Sequence, residues 1–375
     1  MDCDLPQRLI CHLRLPRTDQ RIARPIPTVP LVDAALHAEA SRRRASARFP
    51  NSCSIQQIEC QLQTNHGLHI VQVGHRDLRQ AGGSDMDELA KVTGGRIWYR
   101  KTGATKGCPL VVVHGGPGGT HDYLEPLCVL GDERPILVYD QLGSGRSERP
   151  NDPSLWTLAR FTRELSDLIR ALWLGERLHL FGHSWGSTIA ANYALENPGG
   201  VKSLILAGPC LSYPRWTKDE AQLLSELPDR SQTAIRMREL EGAPESTEYQ
   251  SAIKEHNRRN WCRLDLPTEL IAKSSIGYGK EVGVTMWGEN HFFPTGNLRD
   301  CDLTPRLREI GAPTLLTCGR YDEATPATTA WYAEMITESK VAVFEQSGHM
   351  PHLEEPDLYI RTIRAFLRSV DDRRV

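Results

Sequence analysis

The chain has 375 residues, of which 39% are hydrophobic, and a formal net charge of -2. This length allows one large core with an inserted or appended segment, and the near-neutral charge argues against a surface built for nucleic acid or an anionic membrane. The longest apolar runs, such as residues 109–113, are far shorter than the roughly 20 residues that span a bilayer. We expect a soluble globular protein that acts on a small molecule or a peptide, and the oligomeric state stays open.

The ten cysteines contain no C-x-x-C pair and show no regular close spacing. This pattern predicts free thiols in a reducing compartment rather than disulfides or a zinc site. The first thirty residues lack the apolar segment and cleavage site of a secretory signal. We therefore predict a cytoplasmic location and no metal ion. The arginine-rich start would also suit a transit peptide, but the aspartates at 2, 4, 19 and 33 argue against it.

Residues 1–85 differ in composition from the rest of the chain. Arginine is frequent there, no lysine precedes Lys91, and no hydrophobic period persists. We predict a poorly ordered N-terminal extension. Met86 lies just before the first predicted strand, residues 95–100, so translation from Met86 would give a compact enzyme without the extension; this is a hypothesis.

After this region, short apolar runs alternate with longer segments of helical period, which is typical of a parallel sheet covered by helices. Leu158, Phe161, Leu165, Leu168 and Leu172 form one apolar helix face that ends before Gly175. The pattern predicts the α/β class. The further predicted strands are residues 109–113, 135–139, 178–181, 203–207, 314–318 and 341–344.

The alternation fails between residues 210 and 305, where charged, helix-favouring segments such as 218–227 and 234–241 replace strands. We predict a helical cap at 210–305, inserted into a core formed by 86–209 and 306–375. Such a cap would cover the C-terminal edge of the sheet, where open α/β sheets bind ligands.

A nucleophile motif follows the predicted strand 178–181, and a segment compatible with a helix follows the motif. It is Gly182-His183-Ser184-Trp185-Gly186, the G-x-S-x-G elbow that projects a serine from a sharp strand-to-helix turn. The alternative is a glycine-rich turn with a buried serine, but the strand before and the helix after favour Ser184 as a nucleophile.

A glycine-rich loop, residues 114–119 with the sequence His-Gly-Gly-Pro-Gly-Gly, follows the strand 109–113. The backbone N–H groups of Gly116 and Trp185 are the expected oxyanion donors. A phosphate-binding loop is the alternative, but no Gly-Lys-Ser/Thr follows and the spacing is not G-x-G-x-x-G.

A serine nucleophile needs a base and an orienting carboxylate, which follow it in the order acid, then histidine. Asp322 and His349 each lie just past a predicted strand, so we predict them as the acid and the base. His352 is the rival of His349, and Glu323 is the rival of Asp322.

Four motifs together resemble those of the proline iminopeptidase family of α/β hydrolases: His-Gly-Gly-Pro-Gly at 114–118, Asp-Gln-x-Gly-x-Gly-x-Ser at 140–147, Gly-His-Ser-Trp-Gly at 182–186 and Gly-Arg-Tyr-Asp-Glu at 319–323. The resemblance implies an α/β-hydrolase fold and removal of an N-terminal residue, often proline, from small peptides or amino-acid amides, without a cofactor. An amino-acid amidase, an ester or lactone hydrolase on the same scaffold, and a ligand receptor without catalysis are the alternatives.

The resemblance also implies residues that bind the substrate. Glu323, which directly follows the predicted triad aspartate, would bind the ammonium group. The family places another glutamate in a motif resembling Met-x-Gly-x-Asn-Glu-Phe, whereas this chain has His291 at the glutamate position. Glu289, two positions earlier, is a possible substitute. Phe292, with Trp287 and Phe293, would suit a pyrrolidine ring.

Overall fold

The computed structural model describes residues 59–64, 67–72, 86–175, 177–239, 242, 245–265 and 268–373. The chain forms two compact units, Met1–Leu78 and Arg79–Val375. In the first unit, strands β1 (Glu59–Thr64) and β2 (Gly67–Gln72) pair as an antiparallel hairpin. The sequence did not indicate this hairpin, which lies within the predicted N-terminal extension. The prediction of poor order for the other residues of the extension, 1–58, 65–66 and 73–85, lies outside the described residues.

The second unit contains an eight-stranded sheet in the order β10-β9-β8-β7-β5-β6-β4-β3. The pairs β3/β4 and β4/β6 are antiparallel, and all the other neighbours are parallel. The mostly parallel sheet confirms the predicted fold class. The strands are β3 (Met86–Val92), β4 (Gly95–Gly103), β5 (Leu110–Val113), β6 (Pro135–Tyr139), β7 (Leu178–His183), β8 (Val201–Ala207), β9 (Thr314–Gly319) and β10 (Ser339–Phe344).

Helices cover both faces of this sheet. Along β5, Val111 and Val113 pack into one apolar cluster, whereas Leu110 and Val112 pack into the other, because successive side chains of a strand point to opposite faces. The first cluster includes side chains of α1 (Leu158–Ala171), α2 (Trp185–Glu196) and α8 (Pro326–Met335). The second includes side chains of α9 (Pro351–Glu354), of α10 (Pro356–Asp371) and of the 3₁₀ segment Asp122–Asp132. The predicted face of α1 packs as expected, and Gly175 follows the helix with φ of +91°.

Helices also fill the segment that the sequence assigns to a cap. They are α3 (Tyr213–Ser225), α4 (Asp229–Glu239), α5 (Thr247–His256), α6 (Glu269–Ile276) and α7 (Lys280–Met286). A short π-helical turn, Asn257–Trp261, follows α5 directly. The cap as a separate domain, with its proposed boundaries, stays a prediction. Across the described part of the chain, no helix combines the length and the apolar character needed to cross a membrane.

Candidate active site

Ser184 occupies a sharp turn between β7 and α2. Its φ of +53° lies in the left-handed region, which is uncommon for a residue with a side chain. The Ser184 N–H donates to the Ala207 carbonyl oxygen at 2.8 Å, which ties the turn to β8. A Cβ at Gly182 or Gly186 would collide with backbone atoms, so both flanking positions require glycine.

Asp322 and His349 form the one close contact between the predicted triad residues. His349 Nδ1 lies 2.7 Å from Asp322 Oδ1. The Asp322 carboxylate also accepts from the Gly319 and Ala324 N–H groups, at 3.2 and 2.7 Å. Both side chains are buried. The carboxylate is therefore fixed by its own turn, and it orients the imidazole from one side.

The other ring nitrogen of His349 faces the cavity. Within the described residues His349 Nε2 makes no hydrogen bond, to Ser184 or to any other group; catalytic hydrogen bonds are often long in free enzymes and shorten when substrate binds. Burial by itself lowers the pKa of His349, but the charge and hydrogen bond of Asp322 and the charge of Glu323 outweigh it and raise the pKa to about 9. A cation beside Glu323 would offset part of this effect and favour the neutral base.

The π-helical turn after α5 holds the loops that carry Asp322 and His349. The His349 N–H is shared between the carbonyl oxygens of Asn260 and Trp261, at 2.9 Å each. The Asn260 side chain donates to the Tyr321 carbonyl oxygen at 2.9 Å, next to Asp322. Asn260 therefore connects both loops. No motif marks it in the sequence.

The predicted oxyanion loop lies against the nucleophile. A Cβ at Gly115 would lie 3.0 Å from Ser184 Cβ, and Gly116 has a φ of +131° that favours glycine. Trp185 is the first residue of α2, so its N–H has no acceptor within the helix. Its indole is buried and donates to Gln141 at 2.9 Å, so the side chain is part of the core. The backbone N–H remains the group expected to serve an oxyanion.

A chain of hydrogen bonds connects this loop to His349. The Gly115 N–H donates to the Tyr123 hydroxyl at 2.7 Å, and that hydroxyl lies 2.9 Å from His183 Nδ1. His183 Nε2 lies 2.9 Å from the His349 carbonyl oxygen. Burial holds the pKa of His183 well below its usual range, so the ring is neutral, with its proton on Nε2. His352, the rival base, is buried beside Tyr123, whereas the Asp322 carboxylate contacts His349.

Ser184 and His349 open into a cavity of about 800 Å³. Glu323, Glu289, His291 and Phe292, the predicted substrate-binding residues, all line it. Glu289 and His291 are exposed, whereas Phe292 is buried. Of these four residues, Glu323 lies beside the predicted triad, with its Oε1 atom 3.8 Å from His349 Nε2.

The cavity also contains an acidic wall that the sequence did not predict. Glu220 on α3 and His256 at the end of α5 are both 1% exposed, and Glu220 Oε1 lies 2.8 Å from His256 Nε2. One potential ligand atom from each of Glu220, His256 and Glu323 lies within 4.8 Å of the other two. Burial raises the pKa of Glu323 to about 7; the His349 charge opposes this shift and the Glu220 charge adds to it.

An aromatic wall completes the cavity near the base. The ring of Trp216 lies 6.3 Å from that of His349 and 5.8 Å from that of Trp287. Tyr213 packs against Trp287 with their ring centroids 6.2 Å apart. Trp287 was expected here from the sequence, whereas Trp216 was not. The site therefore combines a nucleophile turn, an oriented histidine, buried acids and an apolar wall.

Comparison with known proteins agrees with this arrangement. A family model described as the alpha/beta hydrolase fold matches residues 109–356. The proline iminopeptidase of Heyndrickxia coagulans is 44% identical over 281 residues, which cover 74% of this chain and 97% of the relative. The chain belongs to the proline iminopeptidase family of α/β hydrolases. As expected of this family, it is a serine hydrolase.

Solved structures extend the likeness to three dimensions. The crystal structure of the proline iminopeptidase of Mycobacterium smegmatis matches with a TM-score of 0.72 at 30% identity, over 76% of this chain and 99% of that chain. The crystal structure of VinJ matches with a TM-score of 0.73 at 32% identity, again over 76% of this chain and 99% of that chain. The family resemblance, the fold and the enzyme class predicted from the sequence are thus confirmed. The roles of individual site residues remain predictions.

Proposed function

We propose that this member of the proline iminopeptidase family removes an N-terminal residue, preferably proline, from short peptides and amino-acid amides. The observation that carries the proposal is the acidic wall, because the buried Glu220 and the partly buried Glu323 lie in the same cavity as Ser184 and His349. A buried carboxylate without a partner is costly, and a substrate ammonium would supply one.

The charges of this wall match a monovalent cation. The close contact between Glu220 and His256 favours a protonated imidazole: burial lowers the pKa of His256, but Glu220, together with the charge of Glu323, outweighs this and raises it. The wall therefore offers two carboxyl groups and one imidazole, and a substrate ammonium would favour the ionised form of Glu323, whose pKa burial raises to about 7. Glu220 is thus an ammonium partner beside Glu323, whereas Glu289, being exposed, is a weaker candidate. The aromatic wall of Trp216 and Trp287 would accept the pyrrolidine ring.

The reaction follows from the positions of the triad. His349 Nε2 takes the proton of Ser184 Oγ as the oxygen attacks the amide carbon, and Asp322 stabilises the imidazolium. The Gly116 and Trp185 N–H groups bind the oxyanion. The C–N bond then breaks, His349 gives its proton to the leaving amine, and an acyl-enzyme remains. Water repeats these steps and releases the free amino acid.

Variants of the nucleophile and of the acid test the chemistry and the specificity separately. Ser184→Ala should lower kcat on a prolyl anilide by a factor of about 10⁶. Glu323→Gln should raise KM at least about tenfold, because the ammonium loses a charged partner. Glu289→Gln provides the comparison, with a rise below about threefold expected for an exposed carboxylate.

Blocking the amine separates an aminopeptidase from an ester or lactone hydrolase. N-acetylprolyl anilide should be hydrolysed at least about a hundredfold less efficiently than prolyl anilide, since it lacks the ammonium. Equal kcat/KM for the free and the acetylated anilide, or a preference for acetylated esters, would refute the aminopeptidase. Substantial turnover by Ser184→Ala would refute the assigned nucleophile. Circular dichroism of each variant provides the folding control.

A further inference from the structure

The acidic wall has the composition and the spacing of a metal site. Glu220 comes from α3, His256 from α5 and Glu323 from the loop after β9, so three separate elements bring them together. Their nearest ligand atoms lie within 4.8 Å of one another. Around a tetrahedral Zn²⁺ with bonds of about 2.0–2.2 Å, ligand atoms lie about 3.3–3.6 Å apart. Small side-chain rotations would therefore bring all three to one ion.

The hydrogen bonds of the wall are incomplete. Among the described residues, neither Glu220 oxygen and neither His256 ring nitrogen makes a hydrogen bond, although the two side chains are almost fully buried. The 2.8 Å contact between them is close but is not aligned as a hydrogen bond. One oxygen of Glu220 and one nitrogen of His256 have only this ion pair, and the other oxygen and the other nitrogen make no hydrogen bond within the described residues. Buried polar atoms are nearly always paired, so these atoms at the wall of a cavity point to a ligand.

The donor types favour a divalent transition metal. Imidazole nitrogen with carboxylate oxygens suits Zn²⁺, and three protein ligands with one open position is a frequent zinc geometry. When the ion binds, it takes the place of the proton on His256, and the two carboxylates balance its charge. The open position would face the cavity, which all three residues line.

We propose that Glu220, His256 and Glu323 bind one Zn²⁺ ion, and that the bound ion inhibits hydrolysis by taking the place of the substrate's ammonium group. The second half rests on the proposed function, whereas the binding itself does not. Glu323 Oε1 is 3.8 Å from His349 Nε2, so an ion held there lies beside the triad and excludes the ammonium.

Direct binding tests the site without any activity measurement. The full chain would be titrated with Zn²⁺ by isothermal calorimetry, alongside His256→Gln, Glu220→Gln and two controls. His291→Gln removes another histidine of the same cavity, and Cys210→Ser removes the thiol that lines it. We expect one site in the unmodified chain that weakens at least about a hundredfold in His256→Gln and Glu220→Gln and persists in both controls. Unchanged binding by folded His256→Gln, or loss of the site in Cys210→Ser, would overturn the proposal.

Inhibition kinetics test the competition. With a prolyl anilide, Zn²⁺ should raise the apparent KM and leave kcat unchanged, and the inhibition constant should rise at least about tenfold in His256→Gln. If calorimetry finds the His256-dependent site but Zn²⁺ lowers kcat at constant KM, then the ammonium does not bind there, and that part of the proposal is wrong. If calorimetry finds no such site, the metal proposal is wrong and the proposed function is unaffected.

Discussion

Gly208 lies directly against the ring of His349. It follows β8 with a φ of +50°, and a Cβ added there would lie 2.6 Å from His349 Cε1 and 2.7 Å from Nδ1. The Gly208 N–H donates to the Thr317 carbonyl oxygen at 2.7 Å, so the backbone is held and the imidazole would have to move. We expect Gly208→Ala to pull His349 away from Asp322 and to lower kcat at least about tenfold with little change in KM, as steady-state kinetics would measure.

Gly311 provides the matched control for Gly208. A Cβ added at Gly311 meets no atom within 4 Å, and its φ is not in the left-handed region. Gly311→Ala should therefore leave both kcat and KM unchanged. A Gly208→Ala enzyme with normal kcat would show that the imidazole has room to shift without losing its function.

Some residues of the site can be predicted from the sequence, and others cannot. Ser184, Asp322 and His349 belong to short motifs at strand ends, and parallel strands bring such positions to one edge of a sheet. Glu220 and His256 lie on helices far apart in sequence, with no motif around them. Their contact depends on how α3 and α5 pack, which a local pattern does not specify. The aromatic Trp216 was missed for the same reason.

At the scale of elements, the loop after β6 holds the segment that follows the predicted oxyanion loop. Asp140 Oδ1 accepts from the His121 N–H at 3.0 Å and lies 2.7 Å from the His121 ring. Asp140 Oδ2 accepts from the Arg146 N–H at 2.9 Å. Ser147 donates to the Asp140 carbonyl oxygen and accepts from the Trp98 N–H. The motif at 140–147 therefore joins β4, β6 and the segment after residue 119.

Removing the Asp140 charge should destabilise the fold. Asp140 and His121 are each 1% exposed; burial alone lowers the pKa of His121, but the hydrogen bonds of Asp140 and Glu125 and the charge of Asp140 together outweigh it and raise the pKa to about 9. Asp140→Asn would leave this buried imidazolium with a weaker partner, and we expect about 2 kcal/mol less free energy of unfolding, measured by urea denaturation. Glu309→Gln, which alters an exposed ion pair, should have no measurable effect.

The effect of Asp140→Asn should depend on pH. Burial raises the pKa of Asp140, but the hydrogen bond and charge of His121 outweigh it, so the pKa in the folded state is lowered. Such a group stabilises the fold above its unfolded pKa of about 3.9, and that stabilisation is lost as the pH falls through the folded value. The difference in free energy of unfolding between the unmodified protein and Asp140→Asn should therefore shrink below about pH 4. A difference that grows towards acid would contradict this account.

The elements themselves show where sequence patterns are sufficient. All seven predicted strands are present. The clearest are β5, β7 and β9, in which every residue is buried, because buried parallel strands are short, mainly apolar runs. Strand β3 was missed. It is an edge strand with exposed charged residues at Glu88 and Lys91. Such charges protect an edge from unwanted pairing, but they also break the apolar pattern by which a strand is predicted.

At the scale of the whole molecule, the catalytic unit is shorter than the chain. The Heyndrickxia coagulans relative matches 74% of this chain but 97% of its own length. The described residues that line the cavity run from Gly115 to Met350, all within the unit Arg79–Val375. Met86 is the first residue of β3, so a chain that begins there would retain the complete eight-stranded sheet.

We therefore expect a variant that begins at Met86 to fold and to retain kcat/KM on a prolyl anilide within about twofold of the full chain. Its midpoint of urea denaturation should also lie close to that of the full chain.

A variant that begins at Thr93 provides the control, because it also lacks β3. Ala90 and Val92 of that strand are buried in the core cluster, and their loss should lower the free energy of unfolding by about 2–4 kcal/mol. Inactivity of the folded Met86 variant would show that residues 1–85 contribute to catalysis. Equal stability of the two shortened chains would show instead that β3 is dispensable for the sheet.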